Sequence, residues 1–239
     1  MKPLAEPIVK AKPLKGFSRK RVIYIPCDPP SRILWGLLKN EALRFKETPF
    51  GHVFLLDQIL VLYGCLGAPL AGMGLEHVIA SGAEDILILG FCGSLNPDLS
   101  CLEVVSVVAA HSDEGTSRHY FERKKIFRSS DILRQKVERA LSARDLPFLA
   151  GTAVSTDAPY RETPRWLSDK QRKGIDVVDM EASAVFAIGE HHDVQTAALM
   201  IVSDELTGEK WKNVFKNPRI NAKIEECFFP FIQQKDWLG

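Results

Sequence analysis

A chain of 239 residues is long enough for one large layered domain, or two small ones, with a sizeable buried core. Hydrophobic residues at 46% and charged residues at 26% are ordinary for a globular protein, and a net charge of +1 gives no electrostatic reason to expect a nucleic-acid partner. No apolar run reaches the roughly 18 residues needed to cross a bilayer, so no membrane partner is expected either.

The first segment is basic and contains proline (Lys2, Lys10, Lys12, Lys15, Arg19, Lys20, Arg21) but has no apolar stretch of the kind a secretory signal carries. Residues 1–20 therefore read as a poorly ordered tail ahead of a single domain over 21–239. Val22 to Ile25 is a β-branched run ending at Pro26 and predicts a first strand. Val53 to Leu56 and Ile59 to Tyr63 predict a hairpin, and Ala68 to Ala80 a helix that Gly82 stops. Ile86 to Leu89 is a continuous apolar run ending in Gly90, which predicts a buried strand feeding a tight turn.

Val104 to Ala110 follows as a strand, then Asp131 to Arg144 as an amphipathic helix with Ile132, Leu133, Val137 and Leu141 on one side. Phe148 to Val154 predicts a strand, Glu181 to Glu190 a closely packed small-residue helix, and Ala197 to Val202 the last core strand. Ile220 to Gln233 predicts a closing helix interrupted at Pro230. Strands alternating with helices make this an α/β domain with both sheet faces covered. Ligands in such sheets sit just beyond strand carboxyl ends, which directs attention to Cys27-Asp28, Gly90 to Ser94, Thr156-Asp157 and Ser203-Asp204.

The five cysteines are odd in number and scattered, with no CxxC pair, and read as reduced, buried cysteines of a cytoplasmic protein. His191 and His192 follow a predicted helix without partners at metal-ligand spacing, so no metal is expected. Three constellations remain. Gly90-Phe91-Cys92-Gly93-Ser94-Leu95 follows a buried strand, where glycines let the backbone approach an anion or a sugar oxygen, or simply make a turn. Val178-Asp179-Met180-Glu181-Ala182-Ser183-Ala184 sets two carboxylates at a helix start, where they would cap it; Glu181, among small and apolar residues, needs a specific partner. Val202-Ser203-Asp204-Glu205 places a carboxylate at a strand end, suited to a helix cap or, if partly desolvated, to general-acid work.

In this order, and with Ser155-Thr156-Asp157-Ala158-Pro159-Tyr160-Arg161-Glu162-Thr163 between the first two, these motifs resemble the nucleoside phosphorylase/nucleosidase superfamily from about Val22 to Trp211. Asp113 to Tyr120 looks like the uridine-cleaving branch and Val202 to Asp204 like the purine-cleaving one. The resemblance implies a three-layer α/β/α sandwich around a mixed, partly barrel-like sheet, in a homodimer or trimer of dimers, with no cofactor. It implies that Glu181 accepts from ribose hydroxyls while Met180 packs on the sugar. Gly90, Phe91, Cys92 and Gly93 would line the ribose and nucleophile pocket, and Asp204, beside Ser203, would protonate the leaving base. Thr156 and Tyr160 would lie near the base, and His119 would reach the sugar or a neighbouring subunit's site.

The family's phosphate loop, Gly-Asp-Pro-x-Arg, reads Cys27-Asp28-Pro29-Pro30-Ser31-Arg32 here, with the arginine displaced by one position. The arginine expected two residues before Gly90 is Ile88, the small hydroxyl residue after it is Phe91, and Pro159 replaces an aromatic. Arg32, Arg44 and Arg118 are the candidates to hold phosphate, Arg44 across a dimer interface. Three readings follow. The first is a phosphorylase acting on a purine or uracil ribonucleoside, with nucleoside and phosphate as its small-molecule partners. The second is a nucleosidase using water, with Asp28 as the only evident activating carboxylate. The third is a catalytically weakened nucleoside-binding protein.

Overall fold

The computed structural model describes residues 7–207 and 210–233. The chain runs β1 (Arg21–Ile25), α1 (Ile33–Glu41), β2 (Arg44–Thr48), β3 (Gly51–Leu55), β4 (Ile59–Tyr63), α2 (Ala68–Ala80), β5 (Asp85–Ser94) and β6 (Val104–Asp113). It continues through α3 (Ser117–Tyr120), β7 (Ile126–Arg128), α4 (Asp131–Ser142), β8 (Leu149–Thr156), a 3-10 turn (Pro159–Arg161), α5 (Pro164–Arg172) and β9 (Val177–Asp179). It closes with α6 (Ala182–His192), β10 (Gln195–Glu205), β11 (Lys212–Asn213), α7 (Arg219–Cys227) and α8 (Phe229–Ile232).

One mixed sheet carries the fold, in the order β11-β10-β6-β8-β9-β5-β1-β4-β3-β2, and β10 also pairs with β5. That extra pairing closes β5, β10, β6, β8 and β9 into a five-stranded barrel, while β1, β4, β3 and β2 extend from it as an open wing. Strands β1, β4, β5 and β10 run one way, and β6, β8 and β9 the other.

The period-2 alternation of side chains sorts the strands' apolar residues onto two faces. Val22 and Tyr24, Ile86 and Ile88, and Ala198, Met200 and Val202 pack with Leu75 and Val78 of α2 and Val185 and Phe186 of α6. Their neighbours Ile23 and Ile25, Leu87 and Leu89, and Ala197, Leu199 and Ile201 pack with α1, α4, α7 and α8. Both faces are covered, so β1, β4 and β5 read as continuous apolar runs. The result is the three-layer α/β/α sandwich with a partly barrel-like mixed sheet that the resemblance implied. A third, small cluster of Leu95, Val154, Ile175 and Val178 is flanked by Trp166, Leu167 and Leu206.

The long apolar elements fall where the sequence predicts them: the hairpin pairs Leu55 with Leu60, and α2 spans Ala68–Ala80. Differences sit at element ends and in elements the sequence did not announce, α1, β2 and α5 among them. The last predicted helix breaks at Phe228, because Pro230 lies in the first turn of α8, where its missing N–H costs nothing. Predicted tail residues 1–6 lie outside the described residues. Farther along that segment, Leu14 and Phe17 are buried against the core, and the Leu14 N–H donates to Ser81 Oγ at 2.7 Å. Cys65, Cys92 and Cys227 are buried, but Cys27 and Cys101 are only partly so, and all five are free thiols. His191 and His192 are the last two residues of α6, with His192 Nε2 3.0 Å from Glu76 Oε1. Among the described residues no helix is long and apolar enough to cross a membrane.

Candidate active site

Strand β5 is the spine of the site because its carboxyl end is flanked on both sides. Gly93 pairs with Asp204 of β10 on one edge and Val178 of β9 on the other. The register between β10 and β5 shifts between Val202 and Asp204, so Ser203 is the extra residue of a bulge that re-aims Asp204. A Cβ on Gly93 would lie 2.7 Å from Leu206 Cδ1 and 3.1 Å from both Asp204 Oδ2 and Val178 Cγ1. Glycine is needed there because two strand neighbours and a carboxylate crowd the backbone. At Gly90 a Cβ would meet nothing closer than 3.6 Å.

One end of the site is built on the start of α6. Asp179 is buried and caps that helix: the N–H groups of Glu181 and Ala182 donate to its Oδ2 at 2.9 and 2.6 Å, and Ser155 Oγ donates to Oδ1 at 2.6 Å. The capping role thus falls to Asp179, which leaves Glu181 for something else. Glu181 is 5% exposed, and its Oε1 accepts from the Gly67 N–H at 2.6 Å. Gly67 has φ 85, a left-handed conformation that glycine adopts without strain, and this turns its N–H toward the carboxylate. Burial, then the Asp179 carboxylate, push Glu181 up to about 8. Burial and the nearby Glu181 charge likewise raise the Cys27 and Cys65 thiols, each to about 12. A hydroxyl and carboxylate network backs this end. Ser112 and Ser183 hydroxyls donate to Glu114 Oε1 at 2.8 and 3.0 Å, and the Ser183 N–H donates to Ser155 Oγ at 2.8 Å. Burial works against the Glu114 charge, but these and the Ser117 and Thr116 hydrogen bonds outweigh it and hold the carboxyl below its ordinary value.

The other end is a cavity of about 430 Å³ lined by Pro159, Glu162, Leu167, Asp204, Leu206 and Trp211, among others. Asp204 Oδ1 lies 2.7 Å from Ser203 Oγ, and its Oδ2 accepts from Trp211 Nε1 at 2.8 Å. Ser203 is buried, and its hydroxyl also lies 3.2 Å from the Cys92 carbonyl oxygen. Glu162 shares the cavity; burial, then the Asp204 charge, push it up to about 7. Sequence reasoning assigned no role to Glu162, Trp211 or Gly67. The signal for Glu162 was its place just before Thr163-Pro164, a cap and first-turn pair that starts α5 and fixes the preceding turn.

Residues 39–224 match the family model described as the phosphorylase superfamily. This chain belongs to that superfamily. Among curated proteins it is 26% identical over 215 residues to a DeoD-type purine nucleoside phosphorylase of Tolumonas auensis, covering 87% of this chain and 90% of that one. It is 26% identical over 162 residues to a guanosine phosphorylase of Halorubrum lacusprofundi, covering 67% of each. Among solved structures it resembles a 5'-methylthioadenosine/S-adenosyl homocysteine nucleosidase of Campylobacter jejuni, with TM-score 0.76 and 17% identity over 91% of this chain and all of that one. It also resembles a purine nucleoside phosphorylase of Toxoplasma gondii, with TM-score 0.70 and 20% identity over 96% of this chain and all of that one.

Within this phosphorylase-superfamily fold the remaining candidates are dispersed. Met180 is half-buried beside Glu181, and Tyr160 lines the Asp204 cavity fully exposed. Thr156 is buried, its Oγ1 accepting from the Ala158 N–H at 3.2 Å. Cys92 is buried, whereas Phe91 turns toward Phe228, with ring centroids 6.0 Å apart. His119 is exposed on α3 beside a cavity with Glu76, Tyr120 and His191.

The three arginines do not converge. Arg32 (φ 54) lies over the Trp35 ring at 5.1 Å, Arg44 donates to the Gly16 carbonyl oxygen at 3.2 Å, and Arg118 sits on α3. Asp28 closes the loop after β1 on itself: it accepts from the N–H groups of Trp35 at 2.8 Å and Leu34 at 3.4 Å, and from the Tyr63 hydroxyl at 3.1 Å. Its carboxyl is pushed up by burial, which these hydrogen bonds oppose.

Proposed function

We propose that this chain cleaves the N-glycosidic bond of a purine ribonucleoside. The reading is carried by one arrangement. A buried carboxylate at Glu181 and a carboxylate at Asp204 flank the same strand end, one in a polar network suited to sugar hydroxyls and the other in an apolar-walled cavity suited to a flat base. Glycosidic cleavage builds positive charge on the ribose, and hydrogen bonds from its hydroxyls to Glu181 strengthen as that charge develops. At the base end a carboxyl pair keeps the base from departing as a bare anion. The names of the curated relatives support a purine base and phosphate as the nucleophile, and hence a pentosyltransferase.

A second reading, hydrolysis by water, is favoured by one observation. The N–H groups of Leu34 and Trp35 in the first turn of α1, which would welcome an anion, are already taken by the Asp28 carboxylate. Exposed Leu66, just before α2, and Leu70 and Met73, one turn apart on it, support a homo-oligomer in which a second copy covers that side of the site. The test is base release from adenosine, guanosine, inosine and uridine, with and without phosphate, followed by chromatography. Purine release is expected. Phosphate dependence with ribose 1-phosphate as product would establish phosphorolysis, and release without phosphate would establish hydrolysis. No release from any purine nucleoside would overturn the reading.

A further inference from the structure

A leaving purine takes up a proton, and the structure offers two carboxyls in one cavity that could hold it. They differ in their partners. Asp204 already has a donor group beside each oxygen, Ser203 Oγ at 2.7 Å from Oδ1 and Trp211 Nε1 at 2.8 Å from Oδ2. Among the described residues Glu162 has no side-chain hydrogen bond or ion pair, although it is half-buried against Leu167, Leu206, Pro159 and Pro164 in the same cavity. An ionised carboxylate there would lack a compensating donor and face the charge of Asp204.

The surrounding elements do not change this. Arg161 and Arg165, its chain neighbours, are exposed and make no ion pair with it. At the start of α5, Pro164 has no N–H, and that of Trp166 lies 3.3 Å from Thr163 Oγ1. The remaining titratable group in the cavity is the exposed Tyr160 phenol. Burial, then Asp204, bring Glu162 to about 7, so it is neutral in a large share of molecules at physiological pH.

We propose that Glu162 is the proton donor to the departing base, and that Asp204, positioned by Ser203 and Trp211, accepts an N–H of that base and orients it. The assignment rests on the purine nucleoside reading above. As the bond between C1′ and N9 breaks, its electron pair stays with the base, the Glu162 proton moves to N7, and the base leaves neutral. The nucleophile oxygen bonds to C1′, and Glu162, now ionised, is reprotonated from solvent. This moves the proton from Asp204, where the resemblance put it, to a residue that the resemblance did not mark.

The test compares guanosine, whose base must be protonated to leave, with 7-methylguanosine, whose base is already cationic and leaves neutral. Both are assayed with wild type, Glu162→Gln and Asp204→Asn. Glu162→Gln is expected to lower kcat on guanosine by about 100-fold or more while lowering 7-methylguanosine release by no more than about tenfold. It is also expected to remove the fall in wild-type kcat as pH rises through about 7. The 7-methylguanosine rate serves as the control for folding. Equal losses on both substrates, or an unchanged guanosine pH profile in Glu162→Gln, would overturn the proposal. Loss of the pH limb in Asp204→Asn alone would return the proton to Asp204. Release from neither substrate by the wild type would bring down the glycosidic-cleavage reading itself, and this assignment with it.

Discussion

At the Glu181 end of the site each carboxyl accepts a hydrogen bond from the protein. Asp179 caps α6, Gly67 donates to Glu181, and Glu114 collects hydroxyls from Ser112 and Ser183. At the Asp204 end the carboxylate leans on Ser203 and on an exposed tryptophan, the Glu162 carboxyl has no hydrogen-bond partner among the described residues, and the walls include proline and leucine. The first arrangement is fixed before any ligand arrives, as a site that binds a ribose in one orientation requires. The second leaves hydrogen-bonding capacity open toward the cavity, where a base supplies the missing partners. The same physics, burial of carboxyls beside other carboxyls, raises both Glu181 and Glu162, yet the two ends differ in what stands ready to compensate it.

The contrast breaks most sharply at Glu181. Glu181→Gln is expected to cut turnover by on the order of 10³-fold with the fold intact, because the amide cannot strengthen its acceptance as ribose charge develops. Wild-type-like rates in that variant would remove its ribose role. The same substitution carries a stability signature. The folded carboxyl sits above its ordinary value of 4.5, at about 8, so folding favours its neutral form. The stability this lends is complete below 4.5 and is lost as pH climbs toward about 8. Glu181→Gln should therefore be more stable than wild type at pH 8 to 9, by on the order of 1–3 kcal/mol in urea melts. No gain at alkaline pH would mean that the carboxyl ionises without penalty.

Next in size is Asp204→Asn, expected to lower purine nucleoside cleavage by about 10²-fold and any pyrimidine activity less, because Asp204 is placed to orient a purine through one of its N–H groups. Equal losses on the two classes would detach Asp204 from the base. Gly93→Ala tests how tightly the two ends are joined through β5. Its Cβ would meet Leu206, Asp204 and Val178 at 3.1 Å or less, so a loss of about 1–3 kcal/mol in chemical melts should accompany a loss of activity. A fully stable, fully active alanine variant would show that the strand end yields. Smallest is Trp211→Phe, which removes the donor to Asp204 Oδ2 but keeps a ring; KM is expected to rise severalfold with kcat little changed. A collapse of kcat instead would place the indole in the chemistry.

The same contrast explains what could be read in the sequence. The Glu181 end is compressed into one run, Val178 to Ala184, where a strand turns into a helix, and its residue types announce both the cap and the surplus carboxylate. The core strands were equally legible, since burial on both faces writes itself as unbroken apolar runs. The other end was legible only in Ser203-Asp204. Glu162 reaches the cavity through a 3-10 turn, Trp211 through a loop after β10, and the bulge at Ser203 depends on pairing with β5, none of which leaves a periodic trace. Strand β2 and helix α5 escaped the sequence reading for a related reason: β2 is a charged edge strand, and α5 buries only Lys170.

The most direct measurement is a crystal structure of the protein with a non-hydrolysable purine nucleoside analogue bound. The account predicts the ribose 2′- and 3′-hydroxyls within hydrogen-bonding distance of Glu181, and the purine in the cavity between Glu162 and Asp204 with N7 toward Glu162 and an N–H of the base toward Asp204. A base seated elsewhere, or a ribose that does not touch Glu181, would contradict it.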